Sequence, residues 1–217
     1  MTSVDSNSSS QTTIYLVRHG ESVANTQNRF GLDTPLTELG ATQASTLATT
    51  LADVDFDAVY SSNLLRARQT AEILASARNL HVLIKPGLKE RNWGKLSGLR
   101  EPDIFAGYGE IFANVKTMPV SVRLGFKIVP DIETENELIV RYTAALSDIA
   151  RYHPGQTILV VSHQTAMRFF LMHIGYATYP ELSYGSIPNG SFIKLITDGT
   201  QFEVSETHGL IKTDYWY

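Results

Sequence analysis

The chain has no cysteine, which excludes disulfides, thiolate metal ligands and a cysteine nucleophile together. No apolar run approaches the roughly 18 residues that a membrane-spanning helix needs, so no membrane association is expected. Positive charge is not in excess either. The formal net charge is −4, whereas broad binding to nucleic acid or an anionic surface needs clustered cations, so no nucleic-acid partner is expected. Any anion site must then be a local gathering of arginines. There is no internal repeat. Residues 1–12 have neither a basic start nor an apolar stretch and do not read as a secretory signal. Rich in Ser, Thr, Asn and Gln, they read as a disordered polar tail, and the cytoplasm is the expected compartment.

What remains is an ordinary globular composition, 43% apolar and 18% charged, long enough for one domain over 13–217. Ile14-Tyr15-Leu16-Val17 reads as a buried strand, and it stops at Arg18-His19-Gly20-Glu21. Thr37 is placed to cap a helix carrying Ala41, Ala44, Leu47 and Leu51. A second strand, Asp57 to Tyr60, ends in Ser61-Ser62-Asn63, and a helix with Leu64, Ala67, Ala71 and Leu74 on its inner stripe follows. His81 to Ile84 reads as a third strand. Residues 98–130 show no clear periodicity and are expected to form a cap-like insertion over the site.

A long helix is expected over 134–152, with Leu138, Tyr142, Ala145 and Ile149 inward and His153-Pro154-Gly155 as its stop. Thr157 to Val161 is the most apolar strand and ends at Ser162-His163, ahead of a short helix from Gln164 to His173. Strands near 191–197 and 201–206 flank Asp198-Gly199, a hairpin signal. The alternation implies an α/β fold: a three-layer α/β/α sandwich with a mostly parallel sheet and an antiparallel edge hairpin. Ligands of such sheets bind beyond the carboxyl ends of the strands, where this chain places Arg18-His19 and His163. An arginine beside a histidine there suits a phosphate dianion and a nitrogen nucleophile. Arg66 and Glu90 are the further polar groups expected at the same crevice.

These segments, taken in order, resemble the histidine phosphatase superfamily in its phosphoglycerate mutase-like branch. The match runs through Leu16-Val17-Arg18-His19-Gly20-Glu21-Ser22 with Asn25, then Leu36-Thr37, Gly40 and Gln43-Ala44. It continues through Ser61 to Ala71, Leu88 to Gly98, and Val160-Val161-Ser162-His163. The resemblance implies that His19 is a nucleophile forming a phosphohistidine, which divides one hard displacement into two easier ones. Arg18 and Arg66 would grip the phosphoryl oxygens as planar forks of donors, with His163 as a further donor and no metal or cofactor needed. Glu90 would protonate the leaving alkoxide and then activate water. Asn25 would touch the phosphoryl group or the water, and Gln164, where the family usually has glycine, would narrow the pocket.

A small phosphomonoester is the expected partner and hydrolysis the expected reaction. The mutases carry a lysine where this chain has Glu101 and two arginines where it has Thr117 and Met118, so the grip on a second acidic group is weakened. A phosphoglycerate mutase is the alternative, and a catalytically weak binding module is the second. Arg68 reads as an exposed helix arginine, and His81, His153, His173 and His208 as surface or packing residues. The final Tyr215-Trp216-Tyr217 leaves an oligomer open.

Overall fold

A computed structural model describes residues 11–76 and 78–212, so residues 1–10 of the expected tail and the aromatic residues 215–217 lie outside it. Its centre is a mixed sheet of six strands: β1 Thr12–Arg18, β2 Ala58–Ser61, β3 Val82–Ile84, β4 Thr157–Ser162, β5 Phe192–Thr197 and β6 Phe202–His208. The strand order is β3-β2-β4-β1-β5-β6. Strands β3, β2, β4 and β1 run parallel, while β5 and β6 add the antiparallel edge. β1 begins two residues before the expected Ile14, and the Thr12 hydroxyl donates to the carbonyls of Ala150 (2.9 Å) and His153 (2.7 Å) and is buried with them. Thr12 is therefore part of the fold and not of the tail.

The described residues also form seven helices: α1 Val23–Thr26, α2 Glu38–Thr50, α3 Leu65–Ser76, α4 Glu101–Thr117, α5 Val120–Arg123, α6 Glu135–Tyr152 and α7 Gln164–His173. The period-two alternation of the central strands divides the core into two layers. Tyr15, Val17, Leu159 and Val161 pack with Leu47 of α2 and Ala67, Ala71 and Leu74 of α3. Ile14, Leu16, Ile158 and Val160 face Leu138, Tyr142 and Leu146 of α6 and Phe170 of α7. Ile14, Leu16 and Val17 are fully buried, each worth roughly 1.5–3 kcal/mol of transfer free energy. Thr37 caps α2 by accepting from Gly40 N (3.0 Å), and Thr134 and Glu137 form a capping box at the start of α6.

Residues 98–130 depart from the expectation of aperiodic chain. They contain the 17-residue helix α4 and the short α5. α4 is favoured locally by Pro102 in its first turn, by Glu101 and Asp103 at its positive end and by Lys116 in its last turn. It escaped the pattern because it buries only Ile104 and Val115, too few to mark a stripe. Ile104 joins Trp93, Leu96, Val129 and Ile132 in a third, separate core.

The parallel pairing of β1 with β4 sets Arg18 opposite Ser162, so the residues that follow, His19 and His163, emerge side by side. Two glycines tighten this end. A Cβ on Gly20 would meet the carbonyl oxygen of Gly40 at 2.3 Å, and one on Gly40 would meet that of Glu21 at 2.0 Å. The loop after β1 thus packs backbone to backbone on the start of α2. Glu21 fastens the contact: its carboxylate accepts from the Thr37 hydroxyl (2.8 Å), and its N–H donates to Gln43 Oε1 (2.8 Å).

Candidate active site

Arg18, His19, Asn25, Arg66, Glu90 and Gln164 line one cavity of about 40 Å³ at the carboxyl ends of β1 and β4. The order of the sheet brings them there from four separate stretches of chain. His163 does not line the cavity. It stands behind His19, ring centroids 5.0 Å apart, as the residue that opens α7.

The hydrogen bonds of His19 fix its tautomer. Its Nδ1 lies 2.7 Å from the carbonyl oxygen of Gly20, which only accepts, so Nδ1 carries the proton. Its Nε2 accepts from Arg66 Nε at 3.0 Å, and a guanidinium only donates, so Nε2 carries a lone pair. The imidazole is 3% exposed. Burial, and then the charges of Arg66 and Arg18, hold its pKa well below 6.5 against a small opposing effect from Gly20. A neutral ring with its lone pair inside an arginine cage is what nitrogen attack on phosphorus needs.

Both arginines are anchored through one edge. Arg66 Nη1 donates to the carbonyl of Leu32 (2.7 Å) and Arg18 Nη1 to that of Ile187 (2.6 Å). Burial lowers the pKa of Arg18 to about 10, which leaves it cationic at neutral pH. Arg18 Nε, His163 Nδ1 and Gln164 Nε2 are buried without a hydrogen-bond partner among the described residues. His163 is fully buried, with a pKa driven well below 6.5 by burial and then by Arg66, His19 and Arg18. Its Nε2 meets the Ser62 hydroxyl at 2.6 Å. Asn25 spends its side-chain oxygen on Ser22, accepting from N and Oγ at 2.9 Å each.

Glu90 is seated on the N-terminus of α7. Its Oε1 accepts from Arg91 N (2.7 Å) and Ala166 N (3.1 Å), and its Oε2 from Thr165 N (3.1 Å). The free N–H groups at the start of the helix hold the carboxyl group in place there. Behind it, Arg141 of α6 donates to the carbonyls of Gly87 (2.9 Å), Lys89 (2.7 Å) and Glu90 (3.0 Å). Arg141 also pairs with Glu133 at 2.5 Å, and Glu133 accepts from Asn92 N at 2.9 Å. Sequence reasoning passed over Arg141, since it occupies an ordinary helix position and acts through backbone carbonyls that no motif records.

The site also holds Trp93 of the matched Leu88–Gly98 segment and residues that carried no signal: Arg29, whose guanidinium donates to Gly98 O (2.5 Å), Thr165 and Tyr184. Arg68, His81 and His173 are exposed, as expected. His153 is buried between Tyr60 and Gln156, and His208 stacks on Phe192. Beside the cage, and sharing Phe30, Trp93, Thr165 and Tyr184 with it, opens a second cavity of about 160 Å³. Among the described residues, no group of three or more His, Asp or Glu is placed to hold a metal ion, and no helix is long and apolar enough to cross a membrane.

A mixed sheet with helices packed on both faces, two histidines following its strand ends, defines an α/β protein with a phosphoglycerate mutase-like fold. The signature of the histidine phosphatase superfamily (branch 1) matches residues 14–208, and the chain belongs to that superfamily. A metal-independent phosphoserine phosphatase from Arabidopsis thaliana is 32% identical over 83% of this chain and 74% of its own length. A probable phosphoglycerate mutase GpmB from an Enterobacter species is 33% identical over 77% of each. Among solved structures, a phosphoglycerate mutase from Bacillus anthracis superimposes with a TM-score of 0.81 at 24% identity, over 93% of this chain and 94% of its own. YhfR from Bacillus stearothermophilus gives 0.79 at 27%, over 92% and 98%. Membership in this superfamily, with phosphatase-named proteins among the relatives, supports an enzyme.

Proposed function

We propose that the chain is a phosphomonoesterase that hydrolyses small phosphorylated metabolites through a phosphohistidine on His19, without a metal ion. The observation that carries the reading is the His19 Nε2 lone pair, held against Arg66 inside the arginine-lined cavity. Nε2 attacks phosphorus, and the bond from phosphorus to the leaving oxygen breaks. Glu90 in its acid form protonates that oxygen. The resulting carboxylate then takes a proton from water, whose oxygen attacks phosphorus; the P–N bond breaks and neutral His19 returns with inorganic phosphate. Arg18 and Arg66 offer N–H edges to the equatorial oxygens throughout, the placement of fixed donors that dominates phosphoryl-transfer catalysis. With the Ser62 hydroxyl donating to its Nε2, His163 carries a proton on Nδ1, a donor without a partner among the described residues and next to His19. Gln164 Nε2 is a further donor, and Asn25 lines the wall where water enters.

The mutase reading has the GpmB relative in its favour. Two observations weigh against it. Glu101 sits with Arg18, Arg29 and Gln164 at the open mouth of the site, where its charge repels a retained bisphosphate. Thr117 and Met118 stand where the mutases carry two arginines, so those two positions give a second acidic group no grip.

The test is hydrolysis of a panel of phosphorylated metabolites in excess chelator, with acid quench to trap labelled phosphohistidine. Turnover with label on the native chain and neither on His19→Ala supports the proposal. Unchanged hydrolysis by His19→Ala overturns it, and so does bisphosphate-stimulated phosphoglycerate interconversion that outpaces hydrolysis. Tight binding of a phosphorylated ligand without turnover restores the binding-module reading.

A further inference from the structure

The proton of the His19 ring is placed by backbone, not by a carboxylate. His19 Nδ1 donates to the carbonyl of Gly20 at 2.7 Å, and that bond leaves the lone pair on Nε2. The carbonyl belongs to the Gly20–Glu21 peptide, whose other edge carries the Glu21 N–H. That N–H donates to Gln43 Oε1 at 2.8 Å. A trans peptide is planar and points its C=O and N–H in opposite directions. One rigid plane therefore lies between two partners, the His19 ring on one side and the Gln43 side chain on the other. Gln43 is a polar residue on the inner stripe of α2, three positions after Gly40 and beside the buried Ala44, with Leu47 one turn further on. It is part of the matched Gly40 and Gln43-Ala44 segment, and neither step of the proposed reaction uses it.

The peptide before this one is held at both edges as well. Its carbonyl, on His19, accepts from Asn189 Nδ2 (2.9 Å), and its N–H, on Gly20, donates to Thr70 Oγ1 (3.0 Å). Thr70 Oγ1 in turn donates to the carbonyl of Arg66 (2.8 Å), which ties this backbone to the helix of the arginine that faces Nε2. Of the two planes, the second meets the ring. Turning it over would exchange its edges and bring the Glu21 N–H to Nδ1. Nδ1 would then have to accept, and the ring proton would sit on Nε2, where attack needs a lone pair. Gly20, lacking a Cβ, resists such a turn less than any other residue. The bond to Gln43 resists it from the far edge. The same bond polarises the carbonyl, because hydrogen bonds in a chain strengthen one another.

We infer that Gln43 is a positioning residue for phosphoryl transfer: by holding the Gly20–Glu21 peptide it keeps the His19 proton on Nδ1 and the attacking lone pair on Nε2. The inference rests on the phosphatase reading above, since it aligns that reaction's nucleophile.

The test pairs steady-state kinetics with nitrogen NMR of the His19 ring, which reports the protonated nitrogen directly and needs no turnover. His19 signals are assigned by their loss in His19→Asn. In the native chain at about pH 7, Nδ1 carries the proton. Gln43→Met keeps the bulk and removes the acceptor, so the ring should become a mixture of tautomers. With it, kcat should fall about tenfold for aryl and alkyl phosphates alike, and KM should change less than about twofold. Gln43→Glu still offers an oxygen to the Glu21 N–H, and should return the native spectrum and bring kcat to within about threefold of the native chain. If Gln43→Met does not fold, Gln43→Asn, one methylene shorter, takes its place. An unchanged His19 spectrum in the variant without the acceptor overturns the proposal whatever kcat does. A changed tautomer that leaves kcat untouched overturns it too, as does a Gln43→Glu variant that restores neither. If the native chain hydrolyses no ester, the phosphatase reading falls and the spectra alone decide the role of Gln43.

Discussion

The two cavities share a wall yet are held in different ways. Around the cage, Arg18, His19, Arg66 and His163 hang from the sheet or from a helix docked on it, and Glu90 from a loop that Arg141 holds. His19 N donates to Ser162 O (3.1 Å), Arg18 N to Ser191 O (3.0 Å) and Gly20 N to Thr70 Oγ1 (3.0 Å). The aromatic cavity is walled by side chains from the loop after α1, from α4, from the start of α7 and from the turns beyond it, and it rests partly on the small third core. A site hung on strands fixes positions to a fraction of an ångström, whereas one built from loops and a lightly buried helix is free to change its lining. Damage to the cage should therefore weaken turnover of every ester, and damage to the aromatic cavity should redistribute turnover among esters.

Glu90 offers the largest contrast, because it lies in the cage but acts on the leaving group. Glu90→Gln keeps the shape and removes the proton. Hydrolysis of alkyl phosphates is expected to fall about 100-fold, against about tenfold for 4-nitrophenyl phosphate, whose leaving group needs no acid. Steady-state kinetics on the two esters check this, and equal slowing removes Glu90 from the acid role.

Acid sensitivity separates the regions next, since the cage buries two imidazoles and the aromatic cavity is lined by none. Both histidines are held well below 6.5 in the folded chain. Above that pH they are neutral in folded and unfolded chains alike and contribute no slope. As pH falls below it, the unfolded chain takes up protons that the fold refuses. Stability then drops by about 1.4 kcal/mol per pH unit for each histidine, until the folded rings titrate. Glu135, raised by burial, acts in the opposite sense but is common to native chain and variant. Denaturant unfolding between about pH 7 and about pH 5 should show His163→Gln with roughly half the histidine-linked slope of the native chain. Identical slopes contradict a buried neutral His163.

The same contrast explains what could be read from the sequence. Arg18, His19 and His163 end strongly apolar strands, and Arg66 lies on a helix with a clean inner stripe of Leu64, Ala67, Ala71 and Leu74, so local pattern led to each. The strand order that joins them was not legible in the sequence, because it depends on which distant strands pair. The aromatic cavity left no such trace. Phe30, Arg91, Phe112, Arg168 and Tyr184 lie far apart in the chain, and α4 has too few buried positions to betray its period. Lys116 and Arg168 line this cavity from α4 and α7, at positions outside the matched segments.

Arg141 tests how far the rigidity of the cage extends. It touches no substrate and is a positioning residue, gripping three carbonyls of the loop that carries Glu90. Arg141→Met should lower kcat on alkyl phosphates about tenfold, with KM changed less than about twofold and aryl phosphates affected less. Arg141→Lys, which can reach one carbonyl but not three, should recover part of the loss. A uniform fall across leaving groups, or no recovery, would mean that Arg141 only stabilises the fold.

The smallest effect belongs to the other cavity, and it is the sharpest test of independence. Phe112 projects from α4 against Phe105, ring centroids 5.5 Å apart, and is only partly buried. Truncation to alanine removes a wall while leaving the strand ends untouched. KM for aryl phosphates should rise about threefold, with kcat unchanged, because the lost contact stabilises bound ester and transition state alike. Alkyl phosphates, too slender to reach that wall, should show no change. If kcat falls for both classes instead, α4 governs the geometry of His19 and Glu90 as well, and the two cavities are mechanically one.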